Sequence, residues 1–110
     1  MDPVVSSRRE VCRIPLGPGH VAKLCTDVRV PDGWMQYAHI LEVVDAEGPV
    51  FFVTAEVQHD IFGGEDTLIL GVFEQGGHEN WGHRDGLEDL DTFQAIALEV
   101  ARQILKGENS

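Results

Sequence analysis

The segment from Gly76 to Gly86 holds the densest grouping of side chains that could carry chemistry. His78, Glu79 and His83 could ligate a divalent metal, because imidazole and carboxylate suit zinc and nickel. Their spacing fits no established metal pattern, and no Cys-x-x-Cys or helical His-Glu-x-x-His accompanies them. Two other interpretations stay open: a long connection in which Trp81 fills the gap between sheet and helix, and a partner-binding loop anchored by Trp81.

Histidines elsewhere offer weaker signals. His59 and Asp60, near Glu65 and Asp66, could form an acid-base pair, since a neighbouring carboxylate raises the pKa of a histidine and orients its ring. Neighbours on a strand point to opposite faces, however, so two independent solvated groups are the simpler interpretation. His39 lies within an apolar strand pattern, where a hydrogen-bonded core or interface histidine is expected.

Nucleophilic and phosphate-binding chemistry have little support. The only serines, Ser6, Ser7 and Ser110, stand near the termini, where no base could be held against them. The glycine-containing stretch 16–20 lacks the third glycine and the following helix of a dinucleotide site and is typical of a turn. The sequence therefore predicts no catalytic residue, resident metal or cofactor.

The two cysteines, Cys12 and Cys25, are too few for a disulfide framework. A hairpin that placed them opposite each other would set the apolar face of one strand against the polar face of the next. A register in which paired residue numbers have an even sum, such as 38, keeps the apolar faces together. We therefore expect two reduced thiols.

Charge is the most informative property of the composition. Eight Lys and Arg oppose nineteen Asp and Glu, which gives 8 − 19 = −11. Residues 1–30 carry 5 − 3 = +2, whereas residues 31–110 carry 3 − 16 = −13, and no cation lies between Arg29 and Arg84. Such a chain repels nucleic acid and anionic membranes, so direct binding to either is not expected. Acidic loops without local cations favour a basic protein partner.

The length of 110 residues fits one domain, 1–110, and we expect frayed ends at 1–10 and 107–110. Apolar runs are far shorter than the roughly 20 residues of a membrane helix. The first ten residues lack the apolar core of a secretory signal. These features predict a cytoplasmic protein.

Hydrophobic periodicity predicts five strands and one helix. The pattern changes from period two to helical spacing at about Leu90, with Asp91 and Gln94 as a loose capping box and Gly107 as the stop. The class is α+β: an antiparallel sheet of four to five strands, formed by two hairpins and one further strand, with a single C-terminal helix packed across it. The predicted strands cover 11–16, 21–30, 34–44, 50–59 and 67–75.

One helix covers about half of one sheet face, yet the central strands are apolar on both. Homodimerisation, barrel closure or a dedicated partner could shield the second face. The prediction is a non-enzymatic acidic protein-binding module, such as an inhibitor, immunity protein, antirepressor or chaperone-like adaptor. Alternatives are a small metal-dependent or acid-base enzyme at the His78 loop, and a structural subunit of a homo-oligomer. The candidate partner-binding residues are Asp60, Glu65, Asp66, His78, Glu79 and Trp81.

Overall fold

A computed structural model describes residues 7–29, 36–59, 62–74 and 77–108. Six antiparallel strands form one sheet in the order β1-β2-β3-β4-β5-β6, and one helix follows them. The α+β class with a C-terminal helix is confirmed, whereas the count of four to five strands is wrong. The elements are β1 (Ser7–Pro15), β2 (Val21–Arg29), β3 (Gln36–Asp45), β4 (Gly48–Gln58), β5 (Thr67–Glu74), β6 (Gly77–His83) and α1 (Leu90–Glu108).

The additional strand, β6, occupies most of the segment expected to be an irregular connection. It pairs antiparallel with β5 and forms the edge of the sheet. Most of its residues are exposed. An edge strand with so little buried surface needs no alternation of apolar residues, because the ladder to β5 holds it in place. Periodicity alone therefore could not identify it.

The first hairpin has the expected even parity beside its turn, and a register shift between Glu10 and Cys12 makes the sum an odd 35 farther from the turn. Here Cys12 pairs with Leu24 and Ile14 pairs with Ala22, so paired residue numbers sum to 36. This sum is even, as expected, but it differs from the suggested value of 38. Pro15 lies on the edge strand β1, where its lack of a backbone N–H donor is tolerated. Cys25 lies opposite Glu10, and both thiols are free.

The main core lies between the sheet and α1, which contacts β2, β3 and β4. Apolar side chains from alternate strand positions meet the buried stripe of the helix here. Simple alternation along β2 would place Val28 on this face with Leu24, but Val28 packs against the opposite cluster. Asp27, at φ 51°, interrupts the alternation just before it. Buried residues of this core include Leu24, Leu41, Val43, Phe51, Val53, Leu70, Val72, Leu87, Phe93, Ala97 and Ala101.

Both expected helix boundaries need correction. Asp89, not Asp91, caps the N-terminus: its carboxylate accepts hydrogen bonds from the Thr92 amide at 3.0 Å and the Thr92 hydroxyl at 2.9 Å. These bonds hold the pKa of Asp89 below its usual range. Gly107 does not end the helix, which continues to Glu108.

The second sheet face is also buried. Ile40 and Thr54 are completely inaccessible, and Tyr37, Phe52 and Phe73 form an apolar cluster around them. Among the described ranges no second helix covers this face, and these exposed fractions are those of a single chain. Burial of this cluster therefore does not require a second copy of the chain. The homodimer stays a prediction.

Candidate functional site

The second face holds a buried carboxylate in contact with an imidazole. Glu56 lies on β4 with its side chain only 6% exposed, and its Oε1 is 2.6 Å from Nε2 of His78 on the edge strand β6. The Thr54 hydroxyl donates to the same oxygen at 3.5 Å. The His78 side chain is 32% exposed and packs against the Phe73 ring, with 4.6 Å between the two ring centroids. The pair thus connects the buried face to solvent.

Gly71 makes this contact possible. The strand β5 lies between β4 and β6, and any side chain at the crossing point would separate the two groups. A Cβ built on Gly71 would lie 2.6 Å from Oε1 of Glu56 and 2.8 Å from Oγ1 of Thr54. Glycine in a strand interior often marks such a close approach.

Burial dominates the electrostatics of the pair. Desolvation raises the pKa of Glu56 above its usual value, and the nearby His78 opposes part of that rise. Tyr37 pairs with Glu56 across the β3–β4 ladder. Burial, and next the Glu56 carboxylate, raise the pKa of Tyr37 to about 12. A proton is therefore held more tightly on this face than in water.

A separate cleft of about 540 Å³ lies where β5 begins and β6 ends. One wall comes from the end of the β4–β5 loop and the start of β5, and the other from the end of β6 and the segment that leads to α1. Four carboxylates line it against one arginine, Arg84, which gives 1 − 4 = −3 with histidine neutral. The lining residues are Glu65, Asp66, Thr67, Leu68, His83, Arg84, Asp85, Gly86 and Glu88.

The loop leading to the cleft carries two further features. The Nδ1 atom of His59 lies 3.0 Å from Oδ2 of Asp66, with both side chains about half exposed. The histidine thus pairs with Asp66, and Asp60 lies outside the described residues. Phe62 is 91% exposed at the same loop.

The structure separates the sequence-predicted site residues. Glu65 and Asp66 line the cleft with His83, whereas His78 joins Glu56 on the second sheet face. Trp81 is partly buried and packs against the main core, but it lies within the strand β6 and not in a long connection. Its indole nitrogen donates to Oε2 of Glu79 at 3.1 Å. The segment does not form one site.

The described residues do not have the geometry that the alternative of a metal site at His78, Glu79 and His83 requires. Within the described parts of the chain, no three His, Cys, Asp or Glu side chains are arranged to hold an ion. His78 and Glu79 are successive strand residues with different partners, and His83 contributes to the cleft. In the same parts, no helix has the length and apolar character to cross a membrane.

His39 is a hydrogen-bonded core histidine, as expected. Its Nδ1 lies 2.9 Å from the Thr26 hydroxyl, and Nε2 lies 3.2 Å from the carbonyl oxygen of Glu88. The carbonyl can only accept, so Nε2 carries a proton and donates. The ring also contacts Phe93 of the helix at 5.3 Å. His39 joins sheet and helix and has no open nitrogen for chemistry.

The residues that sequence reasoning missed are Glu56 as the partner of His78, and Gly71 between them. Two signals could have identified them. Glu56 is a charged residue within the otherwise apolar run of β4, and Gly71 interrupts the equally apolar β5. A buried carboxylate needs a partner, and an interior strand glycine leaves space for one.

Comparisons with protein-family models, with curated proteins and with solved structures identify no match.

Proposed function

We propose that this protein is an acidic binding module that captures a basic protein segment in the cleft between β5 and the segment after β6. The supporting observation is that two acidic stretches, distant in sequence, line one concave surface. Glu65 and Asp66 come from one wall, Asp85 and Glu88 from the other. An arginine or lysine side chain entering this cleft meets carboxylates on both sides.

The charge of the whole chain supports the same proposal. A formal charge of −11 attracts a cationic partner before contact and speeds encounter. The exposed ring of Phe62, close in sequence to Glu65 and Asp66, supplies an apolar contact of the kind that often anchors interfaces. Inhibitors, immunity proteins, antirepressors and chaperone-like adaptors all belong to this class of module.

Affinity purification with charge-matched variants tests the proposal. The cleft variant combines Glu65→Gln, Asp66→Asn, Asp85→Asn and Glu88→Gln. Its control removes four carboxylates outside the cleft lining through Asp45→Asn, Glu47→Gln, Asp91→Asn and Glu99→Gln. We expect the wild type and the control to retain the same high-pI proteins from native lysate at low salt, and the cleft variant to lose them.

Salt provides a second test of the same proposal. Charge-steered capture weakens in about 0.5 M salt, because the screening length falls to a few ångströms. Retention of equal amounts by the cleft variant and its control would show that the cleft carries no recognition. Retention unaffected by salt would indicate an apolar interface instead.

A small acid-base enzyme is the second candidate function, favoured by the contact between His78 and Glu56. A carboxylate that holds one imidazole nitrogen can orient the other as a base. Hydrolysis of p-nitrophenyl acetate provides a probe. We expect His78→Gln to lose most of any protein-catalysed rate and His83→Gln to retain it; equal rates in both variants would contradict an acid-base role for His78.

A further inference from the structure

The pair formed by Glu56 and His78 is a side-chain contact on the second face that joins the edge strand β6 to β4, across β5. Its 2.6 Å contact spans β5 above Gly71. The rest of β6 is mostly exposed and depends on its ladder with β5. The strength of this contact therefore affects how firmly the edge strand is attached.

The charge of the pair depends on the number of protons that it holds. With one proton shared between carboxyl and imidazole, the pair has no net charge. Loss of that proton as pH rises leaves an ionised carboxylate buried beside a neutral ring, and burial disfavours the charged form. If β6 separates from the sheet, Glu56 loses its contact with His78 and gains access to water, which relieves part of the cost of its charge. Burial raises the pKa of Glu56 in the intact sheet although His78 opposes part of that rise, so the protonated carboxyl favours the packed arrangement, and attachment weakens as pH rises through the raised value.

The other titratable and charged groups described on this face do not neutralise the Glu56 carboxylate in place of the proton. Tyr37 faces Glu56 from β3 and is neutral until strongly alkaline pH, with its pKa at about 12. Glu42 lies farther along the face and is paired with Arg8 at 3.1 Å and with Lys23 at 3.9 Å. Those cations are therefore already paired with another carboxylate. The helix α1 packs against the opposite face.

The same strand forms part of the cleft. β6 ends at His83, which pairs with Ile69 of β5 and, with Arg84 and Asp85, lines the cleft wall. The opposite wall begins at Glu65. Loosening β6 from β5 would therefore change the separation of the two walls.

We propose that Glu56 and His78 form a proton-dependent clamp that holds β6 in the sheet and so sets the shape of the acidic cleft. The clamp itself is independent of the proposed partner. Its consequence for binding rests on the proposed function.

Hydrogen exchange of backbone amides, measured without a partner, tests the clamp. Protection of 77–83 is compared with protection of β3 across a pH series in which the fold stays intact, after correction for intrinsic exchange. We expect β6 protection in the wild type to fall by roughly tenfold relative to β3 as pH rises. The carboxyl carbon shift of Glu56 should change over the same pH range.

Two matched variants separate the clamp from general effects of pH. Glu56→Gln keeps an acceptor for His78 but cannot ionise, so β6 protection should not change with pH. Glu42→Gln removes another buried carboxylate on the same face, and the wild-type pH dependence should persist. Wild-type protection that does not change with pH, or the same change in Glu56→Gln, would overturn the clamp.

Peptide binding tests separately whether the clamp affects the acidic cleft. Binding of an alternating arginine-glycine peptide should depend on pH differently in Glu56→Gln than in the wild type. Peptide binding with the same pH dependence in both would overturn the coupling while leaving a clamp demonstrated by exchange intact. Absence of peptide binding in every variant would count against the proposed function alone.

Discussion

Glu56, Gly71 and His78 show how one small residue permits a polar contact inside an apolar face. The carboxylate is buried and accepts from an imidazole two strands away. Neither group meets the other unless the intervening strand lacks a side chain at that position. A side chain added at Gly71 tests this geometry directly.

We expect Gly71→Ala to destabilise the protein by roughly 1–3 kcal/mol, because the new methyl group displaces Glu56 and Thr54 from their contact. Gly77→Ala is the matched control on the neighbouring strand, since a Cβ there meets nothing within 4 Å. It should change stability by less than about 0.5 kcal/mol. Urea unfolding measures both, and equal effects would contradict the close approach at Gly71.

Tyr37 reports the electrostatics of the same face, and it is the single tyrosine of the chain. Its absorbance near 295 nm should titrate at about pH 12 in the folded protein. In denaturant the midpoint should return to about 10. Since the pKa is raised on folding, this tyrosine's contribution to stability is present below pH 10 and decreases as pH rises towards 12.

Glu56→Gln provides the control for this titration. Removing the carboxylate should lower the Tyr37 midpoint, because the charge of Glu56 is the second cause of the shift after burial. A folded wild-type midpoint at the ordinary tyrosine value would show that the hydroxyl reaches water and would contradict burial of this face.

At the scale of elements, the structure and the sequence prediction assign the N-terminal cap of α1 to different residues, Asp89 and Asp91. Asp89→Ala removes two hydrogen bonds to Thr92 and should lower the melting temperature by about 5 °C. Asp91→Ala removes only a favourable charge in the first turn and should have a clearly smaller effect. Thermal unfolding followed by circular dichroism compares them. A larger effect at Asp91 would contradict Asp89 as the cap.

Apolar periodicity predicted the elements that bury one continuous stripe. The helix follows from the spacing of Phe93, Ala97 and Val100, all of which are buried. The sequence pattern did not predict the strand β6. It lies at the edge of the sheet, with β5 on one side and solvent on the other, and most of its residues are exposed, so its sequence needs no apolar pattern. Backbone pairing, not side-chain burial, defines this element.

The candidate sites depend on contacts between distant strands, which residue spacing does not reveal. The sequence suggested an acid beside His78 but not that Glu56, 22 residues away, would supply it. Glu65 and Asp66 were predicted as binding residues from charge alone. Their meeting with Asp85 and Glu88 depends on the register between β5 and β6. Charge identified the segments, and topology brought them together.

At the scale of the whole molecule, charge is distributed unevenly across the sheet. Residues 7–29, which form β1 and β2, carry 5 − 2 = +3. The described residues from 62 onward carry 3 − 10 = −7. A basic partner is therefore steered towards β5, β6 and α1 and away from the β1 edge.

The oligomeric state is a separate prediction at this scale. A homodimer would have twice the 12.2 kDa mass of one chain, and an apolar interface would survive about 0.5 M salt. Light scattering after size exclusion measures this mass at low and high salt. Burial of the second face within one chain removes one reason for the dimer, and a mass of one chain under both conditions would contradict it.

Binding of an arginine-glycine repeat peptide, measured by calorimetry at low salt, tests recognition by the acidic cleft most directly. The variant lacking the carboxylates of Glu65, Asp66, Asp85 and Glu88 should bind roughly tenfold more weakly, because four exposed pairs of about 0.3–0.4 kcal/mol each are lost. The charge-matched control should stay within about twofold of the wild type. Equal weakening in both variants would show that net charge, rather than the cleft, attracts the peptide, and would contradict the proposed function.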